Sequence, residues 1–176
     1  VDSNSLLPID DMWERDGLDM VVAKSVANSA TMYNGKRYLV PLNYHYSGMF
    51  YNKSVLSKAG INTMPSTWDE FLSLCAKLKS KGITPIALGS KNRWPAQFWF
   101  DYLILRTVGP DYRHNLMTGK AAYDDYAVKH AMSIWKDLVD KGYFTNNSNA
   151  DTWTDASDKV ARGKAAMTLM GTWITG

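Results

Sequence analysis

The residues able to do chemistry in this chain fall into carboxylate pairs, histidines, one cysteine and aromatics with polar tips. The pairs are Asp10-Asp11, Asp69-Glu70 and Asp124-Asp125. Hydrolysis of a glycosidic bond needs two carboxylates facing each other across it. Each pair here is adjacent in sequence and stands at an expected helix start, where anions suit the helix dipole and the free N–H groups. A carbohydrate-active enzyme working through such a pair is the alternative to a binding role. His45, His114 and His130 lack metal-ligand spacing, and no G-x-S-x-G, H-E-x-x-H or phosphate-loop pattern occurs. No catalytic residue, metal or cofactor is therefore assigned. The single cysteine, Cys75, lies on the apolar face of an expected helix and reads as a buried filler.

The aromatics offer a different chemistry. The chain has seven Trp and ten Tyr; flat rings cover the apolar faces of sugars, and they fill plain cores equally well. The run Leu39 to Lys53 reads as one extended segment, apolar at both ends, with Asn43, Tyr44, His45, Tyr46 and Ser47 in its middle. Such a wall suits a ligand as well as solvent. Pro41 removes a donor and belongs at a strand edge, and Gly48 marks a bend. Trp94 lies in the polar loop Ser90 to Pro95, between an expected strand end and a helix start, a favourable place for a ligand contact in α/β architecture. Packing of the helix start explains Trp94 too. Trp173 follows Gly171 just past a strand end, whereas Trp68 and Trp135 fall on helix stripes and read as core.

The positioning elements follow from periodicity and punctuation. Residues 1–32 read as helix and loop, with Val21, Val22, Ala23, Val26 and Ala27 as a weak apolar stripe. Asn34-Gly35 predicts a tight hairpin returning through Tyr38-Leu39-Val40. A short helix runs from Ser54 to Gly60. Thr67 and Glu70 have capping-box spacing for a helix stopped by Gly82. Ile83 to Gly89 is a buried strand with Pro85 hinting at an edge, and about Pro95 to Val108 is a helix. Asp124 or Asp125 opens an amphipathic helix ended by Gly142, its stripe running through Val128, Ala131, Met132, Trp135, Leu138 and Val139. Thr154 or Asp155 starts another, and Ala165 to Met170 is a strand. Strands alternating with helices predict an α/β domain.

Composition narrows the class. The 176 residues carry a net charge of +3 with basic residues spread along the chain, which argues against a nucleic-acid partner. No apolar run approaches bilayer length. The opening Val1-Asp2-Ser3-Asn4 lacks the charged start and apolar stretch of a leader.

The wording Y-N-G-K-x-Y-x-V-P from Tyr33, Y-N-K at Tyr51, A-G-I and P-S-T-W-D-E, K-G-I-T-P-I-A-L-G, W-P at Trp94 and G-K-A-A-M-T-L-M-G-T-W ending at Trp173 resembles the extracellular solute-binding proteins of bacterial ABC importers, in the sugar-binding group that includes maltose-binding protein. The resemblance spans about Tyr33 to Trp173. It implies a periplasmic-binding-protein-like (type II) α/β fold: residues 1–42 a remnant of the first lobe with its hairpin and hinge strand, and residues 43–176 the helical second lobe, incomplete without C-terminal segments. The family's functional positions carry over as His45 and Tyr46 in the hinge strand, Trp94 with Asn92 and Arg93 at the cleft rim, and Trp173, whose counterpart stacks on a sugar ring. His45 and Lys91-Asn92 stand where maltose-binding protein has acidic and tyrosine contacts, which points away from a maltodextrin.

By that resemblance the expected partners are a mono- or oligosaccharide, ABC permease subunits in the membrane and the missing part of the first lobe. The implied address is extracellular or periplasmic, with a lipid anchor left open. Unpaired strand edges also allow assembly with a second copy.

Overall fold

The computed structural model describes residues 5–175; the opening tetrapeptide read above lies outside them. The described chain parts into two compact units between Tyr46 and Ser47.

The first unit is held by one arginine. Helices α1 (Asp10–Arg15) and α2 (Lys24–Ser29) precede a two-residue-per-arm hairpin, β1 (Met32–Tyr33) and β2 (Lys36–Arg37). Asn34 and Gly35 both take positive φ, 49° and 76°, as the Asn-Gly pair predicts for a turn matching the strand twist. Arg37 is only 8% exposed. Its guanidinium lies 4.5 Å from the Trp13 ring centroid and donates to the Ala27 carbonyl, to Thr31 Oγ1 at 3.0 Å and to Asp19 at 3.3 Å. The buried charge is thus paired, bonded and stacked at once, which is what makes its burial tolerable. Asp10 accepts from the Arg37 amide at 3.1 Å, so this carboxylate caps backbone.

Two expectations for this stretch are corrected. Residues 38–46 form no strand; after Arg37 the return arm stops, so the long extended segment shrinks to Ser47–Tyr51. The valine stripe is also weaker than its periodicity implies. Helix α2 begins only at Lys24, and Val21 stays exposed before it.

The second unit is a three-stranded sheet with helices packed on it. Strand β5 (Ala165–Gly171) is central; β3 (Ser47–Tyr51) pairs with it antiparallel and β4 (Thr84–Ile86) parallel. All seven β5 residues are buried, as a strand covered on both faces requires. Pro85 sits in β4 at the sheet margin, where only an isolated bridge from Ile86 to Phe144 continues the pairing. Helix α3 (Lys53–Lys58) starts at Asn52, whose side chain accepts from the Val55 amide. Helix α4 (Trp68–Ser80) buries Phe71, Leu74, Cys75 and Leu78. Burial pushes the Cys75 thiol up to about 12, consistent with an inert filler.

Helix α5 (Trp94–Met117) is two helical stretches in succession, the first ending at Val108 as the sequence predicts. At Gly109 the backbone leaves helical geometry (φ 85°, ψ 174°), and Pro110 opens a second stretch in the first-turn position proline favours. Helix α6 (Tyr126–Asp140) packs on α5 through Val128 and Ala131 against Leu103, Ile104 and Leu116. Of its expected stripe, Val128, Ala131 and Leu138 are buried, Trp135 is half-buried, and Met132 and Val139 are exposed. Helix α7 (Trp153–Ala161) leads back to β5. Trp68 also departs from the core position its stripe implies. It is 39% exposed, because it occupies the first position of α4, beyond the turns that face the sheet.

Candidate functional site

Parallel pairing of β4 with β5 puts both strands' C-terminal ends on one side of the sheet, the side where α/β folds build ligand sites. The segment leaving β4 carries Trp94 and the segment leaving β5 carries Trp173. Their ring centroids are 5.9 Å apart. Phe98, one turn into α5, stands 5.5 Å from Trp94 and 6.0 Å from Trp173. Trp153, the first residue of α7, adds a third indole 6.4 Å from Trp94. All four rings are half-buried and mutually tilted, the geometry aromatic quadrupoles prefer, and they form one apolar wall.

Each indole is placed by backbone that its sequence makes possible. A methyl group at Gly171 would lie 2.1 Å from the Trp173 ring, so the indole folds back over bare backbone. Gly89 plays the same part for the other loop: a methyl there would sit 1.8 Å from the Thr152 carbonyl oxygen. Beyond Gly89 the Ser90 amide donates to Ser148 at 2.7 Å and the Lys91 amide to Asp151 at 3.0 Å. Arg93 then takes φ 66°, ψ −44°, and the Trp94 amide donates to the Asn92 carbonyl at 2.8 Å. That is a γ-turn with positive φ at a non-glycine residue, a conformation that costs about 1–3 kcal/mol and persists only where surroundings over-determine it. It turns the chain into α5, with Pro95 buried behind it.

The sequence of this region matches a family model across its length: residues 1–175 fit the bacterial extracellular solute-binding proteins. The chain belongs to that family. An uncharacterized ABC transporter extracellular-binding protein of Pyrococcus horikoshii is 34% identical over 178 aligned residues, covering 100% of this chain and 40% of the relative. Among solved structures, a chitin oligosaccharide binding protein superposes with a TM-score of 0.86 at 34% identity, covering 97% of this chain and 42% of that one. A bacterial solute receptor described as preferring β-D-galactopyranose matches with a TM-score of 0.76 at 36% identity, over 95% of this chain and 42% of its own. The fold is accordingly the type II α/β fold of periplasmic binding proteins, and this chain spans about two fifths of the length of the relatives it matches.

The sequence-predicted residues divide. Trp94 and Trp173 are brought together, and Asn92 and Arg93 stand exposed on the loop that delivers Trp94. His45 and Tyr46 are the last two residues of the first unit; both are exposed, Tyr46 at 73%. Trp153 escaped the sequence reading, although the signal was present. Thr152 and Asp155 form a capping box, with the Thr152 side chain accepting from the Asp155 amide at 3.2 Å, which makes Trp153 the first helical residue beside a strand end.

One member of each carboxylate pair is engaged in capping or bonding its own neighbourhood. Glu70 accepts from the Ser66 and Thr67 amides at 2.7 and 3.2 Å, and those bonds hold it below the ordinary glutamate range. Asp125 precedes α6 but turns back, accepting from the Ala122 amide at 3.2 Å and the Tyr112 hydroxyl at 2.9 Å. Among the described residues no group of three His, Cys, Asp or Glu side chains could hold a metal ion, and no helix is long and apolar enough to cross a membrane.

Proposed function

We propose that this chain is the non-catalytic binding part of a solute-binding protein that captures a mono- or oligosaccharide for a bacterial ABC importer. The carrying observation is the wall of Trp94, Phe98, Trp153 and Trp173 at the C-terminal ends of two parallel strands. Indole faces bury the C–H faces of a pyranose ring, while the exposed Asn92 and Arg93 offer hydrogen bonds to its hydroxyls. The saccharide-binding descriptions of the two structural relatives support the same ligand class.

In this reading residues 43–176 belong to the second lobe and residues 1–42 to the first, whose remaining part supplies the opposite wall. Closure by hinge bending near Pro41–Gly48 is driven by the ligand's preference for the closed state, and membrane permease subunits receive the closed form. His45 and Tyr46 contribute polar contacts from the crossover. The protein works outside the cytoplasmic membrane. Strand β3 pairs with no strand on its outer edge among the described residues, which leaves an edge for a second copy.

Calorimetric titration of the chain with galactose and with N-acetylglucosamine oligomers tests the proposal. Saccharide binding that weakens at least about tenfold in Trp173→Ala, equivalent to roughly 1.4 kcal/mol, supports it. Unchanged affinity in that variant removes Trp173 from the site, and no heat with either sugar overturns the ligand class.

A further inference from the structure

We infer that Asp151 is a positioning residue for the aromatic wall, and that its ion pair with Lys159 fixes how Trp94 faces Trp153. The inference rests on the saccharide-binding reading above and names the residue that builds the site without touching the ligand. Asp151 is gripped from three directions. Its carboxylate pairs with the Lys159 ammonium, side chains only 15% and 29% exposed respectively. Its carbonyl accepts the Lys91 amide at 3.0 Å, and its own amide donates to the Asn147 carbonyl at 3.0 Å.

Two of these grips lead to different rings. Lys159 lies on α7, the helix that Trp153 begins, two residues after Asp151. Lys91 lies on the loop that ends in the strained turn at Arg93 and in Trp94. One residue therefore ties the loop that carries Trp94 to the helix that carries Trp153. A γ-turn at positive φ cannot hold itself; something must oppose its relaxation. The bonds of Ser90 and Lys91 to residues 148 and 151, with Gly89 seated on the Thr152 carbonyl, form that opposing frame. The ion pair is the part of the frame that a side-chain substitution can loosen while the backbone path stays intact. Because both groups are largely shielded from solvent, their attraction is screened far less than that of a surface pair.

Lys159→Met removes the charge and keeps the stem; Lys159→Arg keeps the charge. The measurements are affinity for N-acetylglucosamine oligomers, the near-ultraviolet circular dichroism of the indoles and the thermal midpoint, with Trp173→Ala in the same series. The expected result is about a fivefold loss of affinity in Lys159→Met, a change of that order being ordinary for a residue acting through others. An altered indole dichroism should accompany it, and Lys159→Arg should restore both. A lowered midpoint with parental affinity and dichroism overturns the inference, since a merely structural pair moves the midpoint alone. The reading beneath it fails separately: if no saccharide binds, or Trp173→Ala binds like the parent, the wall is not the site. The dichroism of Lys159→Met still decides whether Asp151 sets the ring geometry.

Discussion

Two helices of this chain begin with nearly the same words: Thr67-Trp68-Asp69-Glu70 opens α4 and Thr152-Trp153-Thr154-Asp155 opens α7. Both carry a complete capping box, with the threonine side chain accepting from the third amide at 3.2 Å and the acid reaching back to the cap. Both set a tryptophan at the first helical position. The outcomes differ. Trp153 joins the indoles delivered from the ends of β4 and β5. Trp68 packs on Phe71 at 5.2 Å and edges a groove of about 380 Å³ lined by Met49, Met64, Trp99, Tyr102 and Leu169. The cap is a local device, whereas the work of the ring beside it belongs to whatever the sheet places opposite.

The sharpest way to break this contrast is at the close approach that only one of the two helix starts has. Gly89→Ala drives a methyl into the Thr152 backbone. Fixed backbone on both sides leaves little room for repacking, so the expected stability loss is about 1–3 kcal/mol, as for overpacked cores. Saccharide affinity should fall with it. A thermal melt and calorimetry check this, and a variant with parental stability and affinity would show that the Thr152 turn does not brace the Trp94 loop.

The two caps supply a matched pair of smaller perturbations. Thr67→Ala and Thr152→Ala should each cost about 1 kcal/mol of stability, the ordinary worth of an N-cap. Only Thr152→Ala should also weaken saccharide binding, because only its helix starts inside the wall. Equal affinities in the two variants would erase the functional difference between the helix starts.

The smallest effect should be shared by both. Hydrogen bonds from Ser66 and Thr67 hold Glu70, and those from Thr152 hold Asp155, below their usual values. A carboxylate depressed in the folded state stabilises fully above its unfolded pKa and ceases to do so as pH falls through the folded one. Stability should therefore decline on acidification below the ordinary carboxylate range, and removing either acid (Glu70→Gln or Asp155→Asn) should flatten part of that decline. Thermal midpoints followed from neutral to acid pH measure it; midpoints in both variants that track the parent would mean the caps contribute nothing.

Much of this was legible in order along the chain, because it depends on near neighbours. The Asn34-Gly35 turn, the Thr67–Glu70 cap, the buried Cys75 and the strand β5 follow from φ preferences, hydrogen-bond reach and periodicity. Trp94 and Trp173 were readable as candidates from their positions after strand ends. The misreadings share a cause. Trp68 obeyed its helix stripe but lay beyond the packed turns, and Met132 and Val139 obeyed theirs without finding a neighbour to cover them. The helical stretch after Gly109 went unread, because Pro110 restarts what Gly109 breaks.

Local chemistry thus determined where elements start, where they stop and which residues stand at their ends, since caps, turns and periodicity act over a few residues. Pairing across the sheet decided the rest. Parallel register of Ile86 with Met167 brings segments some eighty positions apart to one side of the sheet, and that meeting sets Trp94 against Trp173. The contact arises from hydrogen bonds between distant strands, and no stretch of sequence read by itself contains both partners.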